Sequence, residues 1–465
     1  MTEPVPGRKP VLAPFMRVLW AVLLVLPAFG ASAGVVLTSL YSFQVFKDAE
    51  GANGLVQGSD GNLYGTTGTG GTNNSGSVFK ISISVPLNTL YSFTGGKDGG
   101  DPQAGLAQGT DGNLYGTTSS GGTNGDGTVF KISTNGVLTS LFSFTGGSVG
   151  AGPQAALVQG SDGNFYGTTY SDGAYNAGTV FRMSTNGVLT KLHSFTRAID
   201  GAGPGAALAR GSDGNLYGTT WEGGTNDAGT VFKMNTNGAL TSLYSFTGGD
   251  DGANPFGVVQ GGDGNFYGTT EGGGTNGVGS VFKISTNGLL TSLHSFSGVN
   301  DGTSPEAALV RSSDGYLYGT TCGSYGGPDY GTVFKISTNG ALTTLYSFTD
   351  GNDGALPTAA LVQGNDGSFY GTTSSGGQGG GGTVFRLTVA SAAPVLQVVT
   401  LTNTMVSLTW TTEAGGVYQL QFNSDLSSTN WTNLGGAGTA AGAMLSATDS
   451  VTNGPRRFYR VVLSP

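Results

Sequence analysis

Cysteine is nearly absent from this chain. Cys322 is the single copy, so neither an intramolecular disulfide framework nor a cysteine-based zinc site can be assembled. Histidine occurs only at His193 and His294, too little for a histidine-rich metal centre or several acid–base dyads. Charge is also scarce, at 10% of residues against about 25% in ordinary soluble domains. It sums to −9, and no basic block follows the N-terminal segment. A nucleic-acid ligand is therefore excluded, because no Lys/Arg stripe is there to displace counterions. Long apolar runs are missing as well, apart from Val18–Phe29. Arg8, Lys9 and Arg17 precede that run and Ala31-Ser32-Ala33 follows it, the pattern of a signal peptide cleaved near Ala33. The run is short for a membrane span, so residues 1–33 are expected to leave on export and the mature chain to carry no transmembrane segment.

Glycine is abundant, with 86 residues. Without a period this would indicate disorder, but here it has one. The segment Asp60-Gly61-Asn62-Leu63-Tyr64-Gly65-Thr66-Thr67 recurs with its leading Asp at 111, 162, 213, 263, 314 and 366, in steps of 50 to 52 residues. Each copy continues through a Gly-rich loop into a Gly-Thr-Val-Phe-Lys type strand, as at Gly127–Lys131. Most copies then pass a Thr-Asn-Gly turn into a strand such as Val137–Phe144, and a spacer leads to the next apolar run, such as Ala156–Gln159. Asp-Gly and Asn-Gly supply the positive φ of tight hairpins, and Val, Phe, Tyr and Thr suit pleated, half-buried strands. No stretch beyond residue 33 has an amphipathic helical period. Four strands per repeat, repeated radially, predict an all-β fold: a seven-bladed β-propeller over residues 34–389.

The ends of the repeat region point to a ring. It opens on Val36–Phe43, a fourth strand lacking its first three, and closes on Gly382–Arg386, a third strand lacking its fourth. The N-terminal strand is expected to close the last blade and leave no bare edge. An open solenoid would carry atypical capping repeats instead. Three departures break the period: Ala52-Asn53-Gly54 in place of a Pro-containing entry, Ser82–Pro86 in place of the second turn, and the loop Cys322–Pro328.

Seven copies of L-V-Q-G-x-D-G-N-L-Y-G-T-T followed by G-T-V-F-K resemble the tandem GloVer repeat of bacterial exported proteins with varied C-terminal anchors, over residues 35–389. The resemblance implies an extracellular or cell-surface location and implies no particular activity. Beyond a linker at 390–394, alternating runs at Val395–Leu401, Met405–Thr411, Val417–Phe422, Met444–Thr448 and Phe458–Leu463 predict a small immunoglobulin- or fibronectin-like β-sandwich over 395–465. Trp410 and Tyr418 are its expected core, with Trp431 closing one end. Such a module reads as an attachment or carbohydrate-contact domain, or as a spacer.

The repeated Asp of the Asp-Gly-Asn turn invites calcium, but Asp-Gly is a turn dipeptide in its own right, and no cofactor or metal site is expected. His193 and His294 occupy the slot held elsewhere by Tyr41, Tyr91, Phe142, Tyr244 and Tyr346, a packing position. Cys322 has no activating base in its repeat, so we expect no catalytic residue there. Between the repeats, Asp98, Asp101, Asp200, Asp250, Asp251, Asp301 and Asp353 read as a solvated acidic rim. Variation among copies is more telling. The residue after Gly-Thr-Thr runs Gly68, Ser119, Tyr170, Trp221, Glu271, Cys322, Ser374. Tyr170, Trp221 and Glu271 are expected to form an arc across three blades, with Glu222, Tyr175, Tyr325 and Tyr330 in the same loop set. Aromatic platforms beside a carboxylate suit a sugar face. The expectation is a monomeric, non-enzymatic binder of a glycan or surface protein. The alternatives are a polysaccharide lyase or glycoside hydrolase using Glu271 with Glu222 or Asp172, and a purely structural surface component.

Overall fold

The structure, a computed structural model, describes residues 34–45, 51–82, 86–298, 300–324 and 326–389, and beyond these 394, 396–402, 405–412, 417–425, 427, 430–440, 444–450 and 457–464. The expected leader at 1–33 lies outside the described residues. Two compact units emerge, one spanning Gly34–Ala390 and the other holding Ser391–Pro465. The chain is all-β, and among the described residues helical geometry is confined to one 3-10 turn, Gly147–Val149.

The first unit contains seven four-stranded antiparallel sheets. Sheet three shows how the repeat makes one. Its strands are Val158–Gln159, Phe165–Thr169, Thr179–Met183 and Leu189–Ser194. The hairpin between the first two turns on Gly163, at φ 79°. Asp162 locks that turn: its carboxylate accepts from the Asn164 backbone and side-chain amides and from the Tyr166 hydroxyl, at 2.7–3.2 Å. The Asp of this motif is therefore engaged by its own turn. Gly167 is needed for packing rather than for conformation. A Cβ there would stand 2.6 Å from both Leu157 Cδ2 and Phe181 Cζ. We expect Gly167→Ala to cost about 1–3 kcal/mol through overpacking, read as a lowered thermal midpoint by circular dichroism. An unchanged midpoint would mean that the sheet gives way easily. The second Thr of Gly-Thr-Thr pairs hydroxyls across strands, Thr169 with Thr179 at 2.9 Å, and the corresponding pair recurs in all seven sheets.

In six of the seven sheets the first Thr reaches the next sheet. Thr168 Oγ1 donates to the Pro204 carbonyl of sheet four at 2.8 Å, and Thr66, Thr117, Thr269 and Thr320 do the same at their seams. From sheet seven, Thr372 Oγ1 donates to the Asn53 carbonyl of sheet one at 3.2 Å. Glutamines add a second tie. Gln108 accepts from Ser59 N at 2.8 Å between sheets one and two, and Gln57 accepts from Asn365 N at 2.9 Å between sheets one and seven. Apolar clusters fill the same seams. Tyr166, Val180 and Phe195 of sheet three pack with Leu208, Leu216 and Phe232 of sheet four. Phe43, Tyr370 and Val384 of sheet seven pack with Leu63, Phe79 and Ile81 of sheet one. One seam differs. Sheet five opens with an eight-residue strand, Ala253–Gln260, where the other sheets have two residues. That strand packs on Leu216–Thr220 of sheet four. At that seam the buried Thr219 hydroxyl finds no hydrogen-bond partner.

Strand Val35–Gln44 is the fourth strand of sheet seven. It pairs antiparallel with Gly380–Val389, Val35 opposite Val389 and Leu37 opposite Leu387, and buries Phe43 to 1% exposure.

In the second unit, Leu396–Thr402, Met405–Thr411 and Met444–Ser450 form one sheet. Val417–Asn423 forms another with Thr432–Asn433, Gly438–Thr439 and Phe458–Ser464. Leu408, Trp410, Tyr418, Leu420 and Ala440 make its buried core. Trp431 instead lies half-buried beneath the Arg460 guanidinium, 4.4 Å from its ring centroid.

Candidate functional site

Residues from all seven sheets line a cavity of about 810 Å³. Its wall includes Asn53 and Leu55 of sheet one, Gln103 of sheet two, Gln154 of sheet three, Gly205 and Ala207 of sheet four, Phe256 of sheet five, Glu306 of sheet six and Thr358 of sheet seven. From sheet two onward these include the residue that follows the Pro near the start of each sheet. It runs Gln103, Gln154, Gly205, Phe256, Glu306, Thr358, and so varies as much as the slot after Gly-Thr-Thr. The latter contributes Gly68 and Ser374 to the same wall.

Tyr170, at the end of the second strand of sheet three, lays its ring over Gly203 and Gly205, 3.1 Å from where a Gly203 Cβ would stand. Burial and then the Glu222 charge raise its phenol, opposed by Arg197. Trp221 of sheet four donates its indole Nε1–H to Glu271 Oε2 of sheet five at 3.0 Å. Its backbone carbonyl accepts from Asn254 Nδ2 at 2.8 Å. Trp221 and Glu271 are thus brought together across a seam. Glu222 is held elsewhere: Arg197 clasps both its oxygens at 2.9 and 3.1 Å and also reaches Asp227. Asp172 accepts from the Gly147 amide at 2.9 Å. Tyr175 is 64% exposed. Tyr330 is half-buried against Cys322, Ala355 and Leu356. Tyr325 lies outside the described residues.

The carboxyl that interacts with Glu271 is Glu306, at a position the sequence reading passed over. Burial and the Glu271 charge push Glu306 up to about 7, while a hydrogen bond with the Cys322 thiol works against the rise. Burial, then the Glu306 charge, raises the Cys322 thiol, which keeps it out of the thiolate form a nucleophile needs. The signal that could have found Glu306 was in the repeat alignment, as the single acid in the post-Pro slot.

The expected acidic rim needs correction. Asp98, Asp200, Asp251, Asp301 and Asp353 each bind the residue seven positions earlier: Tyr91, His193, Tyr244, His294 and Tyr346, at 2.8–3.0 Å. A following Thr or Ser hydroxyl and amide complete the clasp, as Thr196 does for Asp200. Asp200 is only 8% exposed. These acids are structural because each polar ring in the strand needs a hydrogen-bond partner once it is partly buried. Phe142, which has no donor, is followed seven positions later by Val149.

The family model described as the Gloeobacter/Verrucomicrobia repeat matches residues 29–228 and 205–419. No curated protein sequence matches the chain. Among solved structures it is similar to a Bacteroides uniformis protein described as a candidate 6-phosphogluconolactonase, at 18% identity and TM-score 0.45, over 63% of this chain and 83% of that one. A puromycin hydrolase is similar at 10% identity and TM-score 0.46, and a Mycobacterium tuberculosis puromycin-hydrolyzing peptidase at 11% and 0.47, each over 81% of this chain. The chain spans 60% and 61% of the length of those two hydrolases.

Proposed function

Because the chain belongs to the Gloeobacter/Verrucomicrobia repeat family, we propose that it is an exported, non-enzymatic binding or scaffold protein that contacts a glycan or surface protein. In this reading residues 1–33 direct export and the seven sheets close into a seven-bladed β-propeller. The seam contacts that return from sheet seven to sheet one support that closure. Residues 395–465 form a β-sandwich that holds the propeller at the cell surface or away from it. Among the described residues no helix is long and apolar enough to cross a membrane.

The observation that carries the binding reading is the Trp221–Glu271 hydrogen bond. It fixes an indole plane beside a carboxylate whose charge acts on Glu306 in the cavity wall, an arrangement that stacks on a sugar face and accepts from its hydroxyls. A glycan array probed with the full chain should show a restricted set of bound glycans. The double variant Trp221→Ala with Tyr170→Ala should lose about tenfold or more in affinity for them. Undiminished binding by that variant removes the site.

The Glu271–Glu306 pair favours a second reading, a glycoside hydrolase or polysaccharide lyase on the same face. Glycoside hydrolysis uses one protonated and one ionised carboxyl, and burial beside the Glu271 charge favours the protonated form of Glu306. Release of reducing ends from polysaccharides, abolished in Glu306→Gln, would make the protein an enzyme.

A further inference from the structure

We infer that the central cavity takes an amine-bearing saccharide, with the free ammonium group of an amino-sugar unit held at Glu306 and its carbon face against Phe256. This rests on the glycan reading of the same face and adds the chemical class of the ligand.

The lining argues for the charge. Asp101 and Glu306 bring carboxyl groups to the wall, and the described lining residues include no Lys, Arg or His. A concave site with carboxylates and no basic residue concentrates positive charge. Gln103 and Asp101 are already joined, Gln103 Nε2 donating to Asp101 Oδ2 at 3.0 Å, and Ser119 Oγ donates to the same oxygen at 2.9 Å. Asp101 is thus satisfied by neutral donors. Glu306 has a weaker neighbourhood. The titratable groups about it are Glu271 from sheet five and Cys322 from its own sheet, with Asp329 next to Cys322, and none of these is a cation. A positive ligand group is what that carboxyl lacks.

The type of cation follows from the ligand count. Among the described residues no group of three or more acidic, His or Cys side chains could hold a metal ion. Calcium takes about 6–8 oxygens, whereas an ammonium group is served by one carboxylate and two neutral acceptors. Gln154 and Thr358 line other walls of the cavity, where they can meet the sugar hydroxyls, and Phe256 supplies an apolar surface for the sugar ring. The cavity volume of about 810 Å³ accommodates a short oligosaccharide.

Calorimetric titration of the full chain with glucosamine oligomers, in two buffers of different ionisation heat, tests this. At about pH 6, where the sugar amine is already protonated, binding should release most of a proton as the ammonium displaces the one on Glu306. N-acetylated oligomers of the same length, which carry no charge, should bind about tenfold or more weakly. Glu306→Gln should lose both the proton release and the preference for the free amine, with its thermal midpoint retained. Equal affinity for the two oligomers, or an unchanged preference in Glu306→Gln, overturns the inference and leaves the glycan reading standing. A silent glycan array together with no binding of either oligomer overturns both.

Discussion

Removing residues 35–44 should leave the first unit unable to fold at ordinary temperature, and the protein should aggregate. The strand contributes a full ladder to Gly380–Val389, which becomes a bare edge without it. It also carries Phe43, which sits with Phe79, Tyr370 and Val384 at the seam between sheets seven and one. A milder version isolates the packing contribution. Phe43→Ala should cost about 3–5 kcal/mol, as large-to-small changes at fully buried aromatics do. With an unfolding entropy of roughly 2.1 cal/mol/K per residue, that is a fall of about 4–7 °C in the thermal midpoint of a unit this size. A synthetic peptide of residues 35–44 added to the truncated chain should restore part of the loss by strand addition. A truncated chain that melts like its parent would mean that sheet seven does not depend on the N-terminal strand.

The second large effect concerns alkali. Burial, followed by the hydrogen bond to its Asp, pushes each of Tyr166, Tyr244, Tyr346 and Tyr370 up to about 12, and Tyr115 and Tyr267 are raised as well. A phenol whose pKa is higher folded than unfolded adds stability that is complete below about pH 10 and lost as pH climbs through about 12. Because these clasps recur around the unit, the losses accumulate in one narrow window. The thermal midpoint should be flat from about pH 8 to 9, above the range in which Glu306 ionises, and fall steeply above about pH 10, with phenolate absorbance rising at the same pH as unfolding. On the acid side the sign reverses. Hydrogen bonds overcome the opposing burial and hold Asp98, Asp111, Asp162, Asp200 and Asp263 below the ordinary carboxylate value. Their contribution is present above about pH 4 and fades as pH falls through their lowered values. Asp162→Asn should lower the pH at which the Tyr166 phenol ionises in the folded chain. Phenolates forming near pH 10 in a chain that is still folded would contradict the clasp.

The repeat, its four strands and the N-terminal strand in sheet seven could be read in the sequence because each depends on local chemistry. Asp-Gly turns, Val-Phe alternation and an unmatched strand at each end are all visible in one dimension. The seven-residue clasp was equally visible, since Tyr or His at one slot travels with Asp and Phe142 travels with Val149. It was missed because each slot was read alone. Glu306 was harder. It precedes a strand of two residues, Val310–Arg311, too short for alternation to reveal which way the preceding residue faces. The same brevity hid Thr432–Asn433 and Gly438–Thr439. Trp221 and Glu271 stood out because their slot varies, but the hydrogen bond between them depends on how two sheets meet.

The threonine ties between sheets point one way along the chain, the second strand of six of the seven sheets donating to a backbone carbonyl of the next. A directional seam is a heterologous interface, and it can be satisfied within one molecule or by a neighbour. The strand at Val35–Gln44 and the open side of Gly380–Val389 are mutually complementary wherever they come from. Tethering gives the intramolecular partner an effective concentration on the order of millimolar, so dilute chains self-complete. Shortening the connection between Gln44 and Ala52 would remove that advantage and turn the same two surfaces into a route to strand-swapped dimers and fibres.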